Sequence, residues 1–154
     1  MGEFSASIAD KPATTTWNSE NTLFAIWLGV NDVGNSNGNA TNAPLWDKII
    51  SKYISQVEIL YGAGGRNFAF LNVPPIQRTP LVLAESVPTQ VHEGDVIASF
   101  NAKLTQAANS WAWEHWGTVV KVVDTQRPFN TACTFPPRSA KHPSPITTLM
   151  GAKL

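Results

Sequence analysis

Leu23-Phe-Ala-Ile-Trp-Leu28 is an unbroken apolar hexamer closed by Gly29, and it decides the fold. A run this short, bounded by glycine, reads as a strand buried on both faces, the kind found inside parallel sheets. Downstream, Pro44 stands where the first turn of a helix tolerates proline. Trp46, Ile49, Ile50, Tyr53, Ile54, Val57, Leu60 and Tyr61 then recur at three- and four-residue spacing, one apolar helix face ended by Gly62 and the Gly64-Gly65 pair. Asn67-Phe-Ala-Phe-Leu-Asn72 predicts a second short strand, stopped by Pro74-Pro75. A second helix is predicted from about Gln90 to Trp116, with Val96, Ile97, Phe100, Leu104, Ala107, Ala108 and Trp111 on its buried face. Gly117 ends it, and Thr118-Val-Val-Lys-Val-Val123 is rich enough in β-branched residues to form a third strand.

Strands alternating with helices predict a parallel sheet with helical crossovers. Three strands make about half of a usual doubly wound sheet. The ends of the chain carry no such periodicity. Ser5 to Asn18 is rich in Ala, Thr and Ser and reads as a loop or linker, and Met1-Gly-Glu-Phe4 resembles an added leader. No basic stretch followed by an apolar run marks a signal peptide there. Residues 1–16 are therefore expected to be a leader or linker and residues 17–154 the domain. From Gln126 onward, Pro128, Pro136, Pro137, Pro143 and Pro145 predict an irregular tail.

Composition narrows the function classes. The 154 residues are 43% apolar with six Trp and seven Phe, enough for a packed core. Only 14% are charged, and the net charge is zero, so nothing favours nucleic acid or an anionic membrane surface. The longest stretch without a polar side chain, Leu23 to Val30, is far below the roughly 20 residues of a membrane span. The single Cys133 excludes an intrachain disulfide, and His92, His115 and His142 are too scattered to form a metal site. No cofactor is expected. The open edge of a short sheet is the one place where association with another chain is anticipated.

In an open parallel sheet, ligands bind beyond the carboxyl ends of the strands. Three segments qualify: Gly29 to Ala43, Asn72 to Thr89 and Asp124 to Pro145. The first, Gly29-Val-Asn-Asp-Val-Gly-Asn-Ser-Asn-Gly-Asn39, is strongly polar. Its Asn31 is placed to project an amide donor of the kind that a developing oxyanion needs. The same residues also suit a plain turn. Gly34-Asn-Ser36-Asn-Gly38 matches the Gly-x-Ser-x-Gly nucleophile elbow of α/β-hydrolases, with Ser36, Asp124 and His142 in that fold's order. An elbow joins a strand directly to a helix, however, and Ser36 lies seven residues beyond Gly29.

Phe24-Ala-Ile-Trp-Leu-Gly-Val-Asn-Asp-Val-Gly34 resembles the Gly-x-Asn-Asp block of the SGNH (GDSL) hydrolases, and Phe70-Leu-Asn-Val-Pro-Pro-Ile-Gln-Arg-Thr-Pro80 is similar to the strand and double proline that follow it. The likeness runs from about Trp17 to Asn130 and is strongest to fungal secreted acetylesterases that act on plant-polysaccharide side chains. It implies a flavodoxin-like, three-layer α/β fold with a parallel sheet, present here as a partial domain. It also implies ester hydrolysis of small-molecule or carbohydrate esters, and secretion. By the same resemblance, Asn31 is the oxyanion-hole amide, with Gly29 and Asp32 shaping its loop. His142 of His142-Pro143 is the general base.

Two departures matter. The family's last block carries a carboxylate three residues before the histidine, where this chain has Ser139; Asp124 is the nearest substitute. No Gly-Asp-Ser nucleophile block occurs anywhere in the sequence. The expectation is therefore an ester hydrolase of SGNH type that is inactive as this chain alone. An elbow esterase using Ser36 and a non-catalytic binding module are the alternatives.

Overall fold

The computed structural model of the chain describes residues 2–14, 16–36 and 43–134. Three strands, β1 (Leu23–Ile26), β2 (Asn67–Leu71) and β3 (Val119–Val123), form one sheet in the order β1-β2-β3. Both pairings are parallel, with Phe24 opposite Phe68 and Phe68 opposite Val120. The predicted mixed α/β architecture with a parallel sheet is what the chain adopts.

Six helices accompany the sheet among the described residues: α1 (Gly2–Ser7), α2 (Val30–Asn35), α3 (Ala43–Gly62), α4 (Pro80–Leu83), α5 (Val87–Glu114) and α6 (Gln126–Thr134). The long crossover helices α3 and α5 are those that the apolar periodicity predicted. Trp46, Ile50, Tyr53, Val57 and Leu60 of α3 are buried, as are Val96, Ile97, Phe100, Leu104, Ala108 and Trp111 of α5. Pro44 lies in the first turn of α3, and the helix ends in a reversal where Gly64, at φ +104°, lets the Gly65 amide reach the Leu60 carbonyl at 2.9 Å. Helix α5 starts three residues earlier than predicted. Ser86 caps it by accepting from the Thr89 amide, and Pro88 fits in its first turn because no intrahelical partner awaits its missing N–H.

Both crossover helices lie on one face of the sheet. Phe68 and Phe70 of β2 project to the same side, and they meet Trp111 of α5 at 5.3 Å and Tyr53 of α3 at 5.6 Å between ring centroids. Right-handed crossovers in strand order β1-β2-β3 demand this arrangement. The opposite face presents Leu23, Ala25, Val119, Lys121 and Val123, all exposed, so among the described residues the domain has two layers and no third. That corrects the expectation of a β1 buried on both sides: its residues alternate between exposed and half-buried, because helices cover one face only.

Four segments read as irregular contain helices, α4 lying within the stretch Asn72 to Thr89. Phe4 of α1 packs edge-on to Phe24 at 5.8 Å, and Trp17 donates to the Ile8 carbonyl at 2.7 Å, so the early segment folds against the core. The Gly29 loop continues into α2. Helix α6 occupies the start of the predicted irregular tail; Pro128 stands in its first turn, where proline costs no hydrogen bond. Exposed Cys133 belongs to this helix.

Candidate active site

The site begins where β1 runs out. The carbonyl of Ile26, the last residue of β1, accepts from the Tyr53 hydroxyl at 3.0 Å, and burial pushes that phenol's pKa well up. Gly29 then turns the chain at φ +105°, and its carbonyl accepts the first helical bond of α2 from the Val33 amide at 2.9 Å. Completely buried Val33 anchors the short helix. Asn31 and Asp32 fall in its first turn, both exposed, with no side-chain hydrogen bond to another described residue. Both border a cleft of about 320 Å³ with Ser36, Leu45 and Ile49, and each also lines a second one. Asp32 lines a cleft of about 340 Å³ with Lys48, Lys52, Tyr53 and Gln56. Asn31 lines one of about 540 Å³ whose opposite wall is Ile76, Thr79, Val82, Thr89 and Glu93.

Asn31 is therefore beyond the carboxyl end of β1, as its position in the sequence suggested, but its cleft is built from the segment after β2 and the start of α5. The segment after β3 is engaged elsewhere. Asn72, just past β2, accepts the Thr125 amide at 2.8 Å and its hydroxyl at 2.7 Å. Asp124 accepts the Gln126 amide at 2.9 Å and the Asn72 side-chain amide at 3.3 Å, which starts α6. Asp124 thus has a local capping contact with one oxygen. Its proposed partner His142, along with Ser139 and Pro143, lies outside the described residues.

Ser36 is at the end of α2, 8% exposed, and its hydroxyl donates to the Val33 carbonyl at 2.7 Å. A serine capping the C-terminus of a helix, with its proton committed to a backbone carbonyl, lacks the strand-to-helix geometry of a nucleophile elbow. Gly38 of that pattern lies outside the described residues.

One residue of the cleft escaped the sequence reading. Glu93 is 1% exposed, and neither carboxylate oxygen has a hydrogen-bond partner among the described residues. Burial pushes its carboxyl pKa up, opposed weakly by nearby His92. The signal was present: Glu93 precedes Val96 and Ile97 by three and four residues, so it continues the buried stripe of α5 as an acid in an apolar position. Among the described residues no group of His, Cys, Asp and Glu is arranged to hold a metal ion, and no helix is long and apolar enough to cross a membrane.

Comparison with known proteins bears on this geometry. An acetylesterase of Thermothelomyces thermophilus is 43% identical over 137 residues, which is 88% of this chain and 45% of that protein. The chain thus spans under half the length of the curated relative it matches. A family model described as GDSL-like lipase/acylhydrolase matches residues 1–148, nearly the whole sequence. With a parallel α/β sheet whose first strand leads into Gly29-Val-Asn31-Asp32, the chain belongs to the GDSL-like lipase/acylhydrolase family.

Proposed function

We propose that this chain carries the oxyanion-binding and general-base portion of a serine ester hydrolase that removes acetyl groups, with carbohydrate acetyl esters outside the cell as its substrate class. The observation that carries the reading is the turn at Gly29, which holds the Asn31 amide exposed beside a cleft at the carboxyl end of β1. The left-handed glycine and the buried Val33 fix the backbone that carries this amide, and its donor is engaged by no other described residue, which leaves it available to a tetrahedral intermediate. In this reading Gly29 and Asp32 shape the turn, His142 takes the proton of the nucleophile, and Asp124 is the available carboxylate to orient it. The acetylesterase relative supports acetyl esters as the class, and carbohydrate and extracellular context follow from the resemblance of the two sequence blocks.

The nucleophile is the missing part. Covalent acyl transfer needs a serine within about 2.6–3.2 Å of the base, and the sequence holds no Gly-Asp-Ser block to supply one. We infer that the chain alone hydrolyses p-nitrophenyl acetate no faster than surface histidines do. The test compares the chain with its Ser36→Ala and His142→Ala variants. Equal background rates in all three support the reading. Turnover abolished by Ser36→Ala installs the elbow serine instead, and turnover lost only with His142→Ala requires a nucleophile other than Ser36.

A further inference from the structure

Helix α6 is held to the molecule without a packed apolar face. None of its nine residues is buried, whereas a helix of this length ordinarily owes its stability to tertiary packing of such a face. Contacts to the turns at the carboxyl ends of the strands replace that packing. At the start of α6, the Gln126 side-chain amide donates to the carbonyl of Val73, just past β2, at 2.7 Å. In its middle, partly exposed Phe129 meets Trp27, just past β1, edge-on at 6.2 Å between ring centroids. At its end, Arg78 donates through Nη1 to the Asn130 side-chain oxygen at 2.7 Å and to the Asn130 carbonyl at 3.3 Å. Its Nη2 donates to the Thr134 hydroxyl at 3.3 Å. The guanidinium plane thus spans two residues one turn apart, at the helix end where the backbone dipole favours a cation.

We propose, resting on the ester-hydrolase reading, that Arg78 is the positioning residue for the general base: it fixes where the chain leaves α6, and so where the following residues can place His142. Arg78 stands between Ile76 and Thr79, which wall the Asn31 cleft, and it grips Thr134, the last residue of α6. One side chain therefore ties the end of the helix to the wall of the cleft. The lever is long enough for this to matter. Nine helical residues extend about 13–14 Å, so a helix pinned only at Gln126 would swing its far end widely over the carboxyl side of the sheet. His142 stands eight positions beyond Thr134, a reach of about 26–29 Å when extended. That reach is enough to arrive at the cleft and equally enough to miss it. Fixing the exit point removes part of this freedom before the base is placed, which lowers the entropy cost of holding it against a reacting group.

The test uses the full 154-residue chain with exposed Cys133 changed to Ser and a nitroxide attached at Leu81→Cys. Leu81 is 79% exposed and lines the Asn31 cleft, so the label reports on the cleft without touching Asn31. The readout is paramagnetic broadening of the His142 ring resonances, which follows distance from the cleft and not stability. Broadening is expected in the labelled parent and is expected to be lost in Arg78→Ala, while the amide shifts of α3 and α5 stay in place. Broadening retained in Arg78→Ala overturns the proposal and leaves the ester-hydrolase reading intact. If Arg78→Ala fails to fold, Asn130→Ala, which removes the acceptor at 2.7 Å, decides in its place. His142 unbroadened already in the parent overturns the proposal together with the assignment of His142 as the base.

Discussion

A Cβ added to Gly29 would stand 2.6 Å from two ring carbons of Phe100, and 3.4 Å from the Val73 side chain. The turn that presents Asn31 and the buried stripe of α5 are thus fitted to each other: the loop passes the ring closely only because residue 29 has no side chain. Its φ of +105° adds a second reason, since L side chains rarely adopt that conformation.

Gly29→Ala is accordingly expected to destabilise the fold by about 2–5 kcal/mol, combining left-handed strain with overpacking against a completely buried ring. Gly62→Ala, where an added Cβ meets nothing within 4 Å, serves as the control. Urea midpoints of the two variants check this; similar midpoints would refute the close fit at Gly29.

Asn101 clamps the end of β2. Its side chain accepts the Val73 amide at 2.8 Å and donates to the Val73 carbonyl at 2.9 Å, satisfying both backbone groups of a completely buried residue. Asn101→Ala leaves the Val73 amide unpaired while the carbonyl keeps the Gln126 side-chain amide at 2.7 Å, and about 1–3 kcal/mol should be lost. Denaturant unfolding of the variant provides the measurement, with a loss below that of an ordinary surface substitution counting against the clamp.

Glu93 predicts a pH dependence of stability. Its carboxyl titrates higher folded than unfolded, so between the two values the native state binds the extra proton. The contribution is fully present below the unfolded value and declines as pH rises through the folded one. Relative to the parent, Glu93→Gln should therefore gain stability from pH 4 to pH 8. Thermal melts across that range test the sign; a constant difference would show that burial does not perturb the group.

Asn31 is exposed and bonded to no other described side chain or backbone group, so Asn31→Ala should change stability by no more than about 0.5 kcal/mol. In an assembled enzyme that supplies the serine, the same change should lower kcat by about 10²–10³. A stability loss well beyond the first figure would make Asn31 a structural residue and remove the ground for its role.

The uncovered sheet face makes its own prediction. Leu23 and Val119 flank Asn67 in one row of the sheet and are 62% and 64% exposed. Replacing both with Lys should reduce binding of a hydrophobic dye and any self-association seen in sedimentation, at little cost in stability, because neither residue packs in the core. Unchanged dye binding would show that this face is covered in solution.

Much of this molecule could be read in the amino-acid order because its information is local and periodic. The apolar spacing from Trp46 to Leu60 and from Val96 to Trp111 found α3 and α5, and three apolar bursts found the strands. Gly29-Val-Asn31-Asp32 located the turn at the end of β1 and, with the second block, the family. Helices α1, α2, α4 and α6 were not anticipated. Each has nine residues or fewer, too short for periodicity to stand out, and α1 and α6 are tied to the rest by tertiary contacts, Phe4 on Phe24 and Phe129 on Trp27. The sequence by itself determined the order of elements, the parallel sheet and the residue types available for chemistry. Only the tertiary structure decided that Asn31 shares its cleft with Glu93 rather than with the segment at Asp124, and that Asn101 bonds both backbone groups of Val73. Those relationships join residues up to 62 positions apart in the chain, and they depend on how α5 docks against the turns after β1 and β2, which no local pattern encodes.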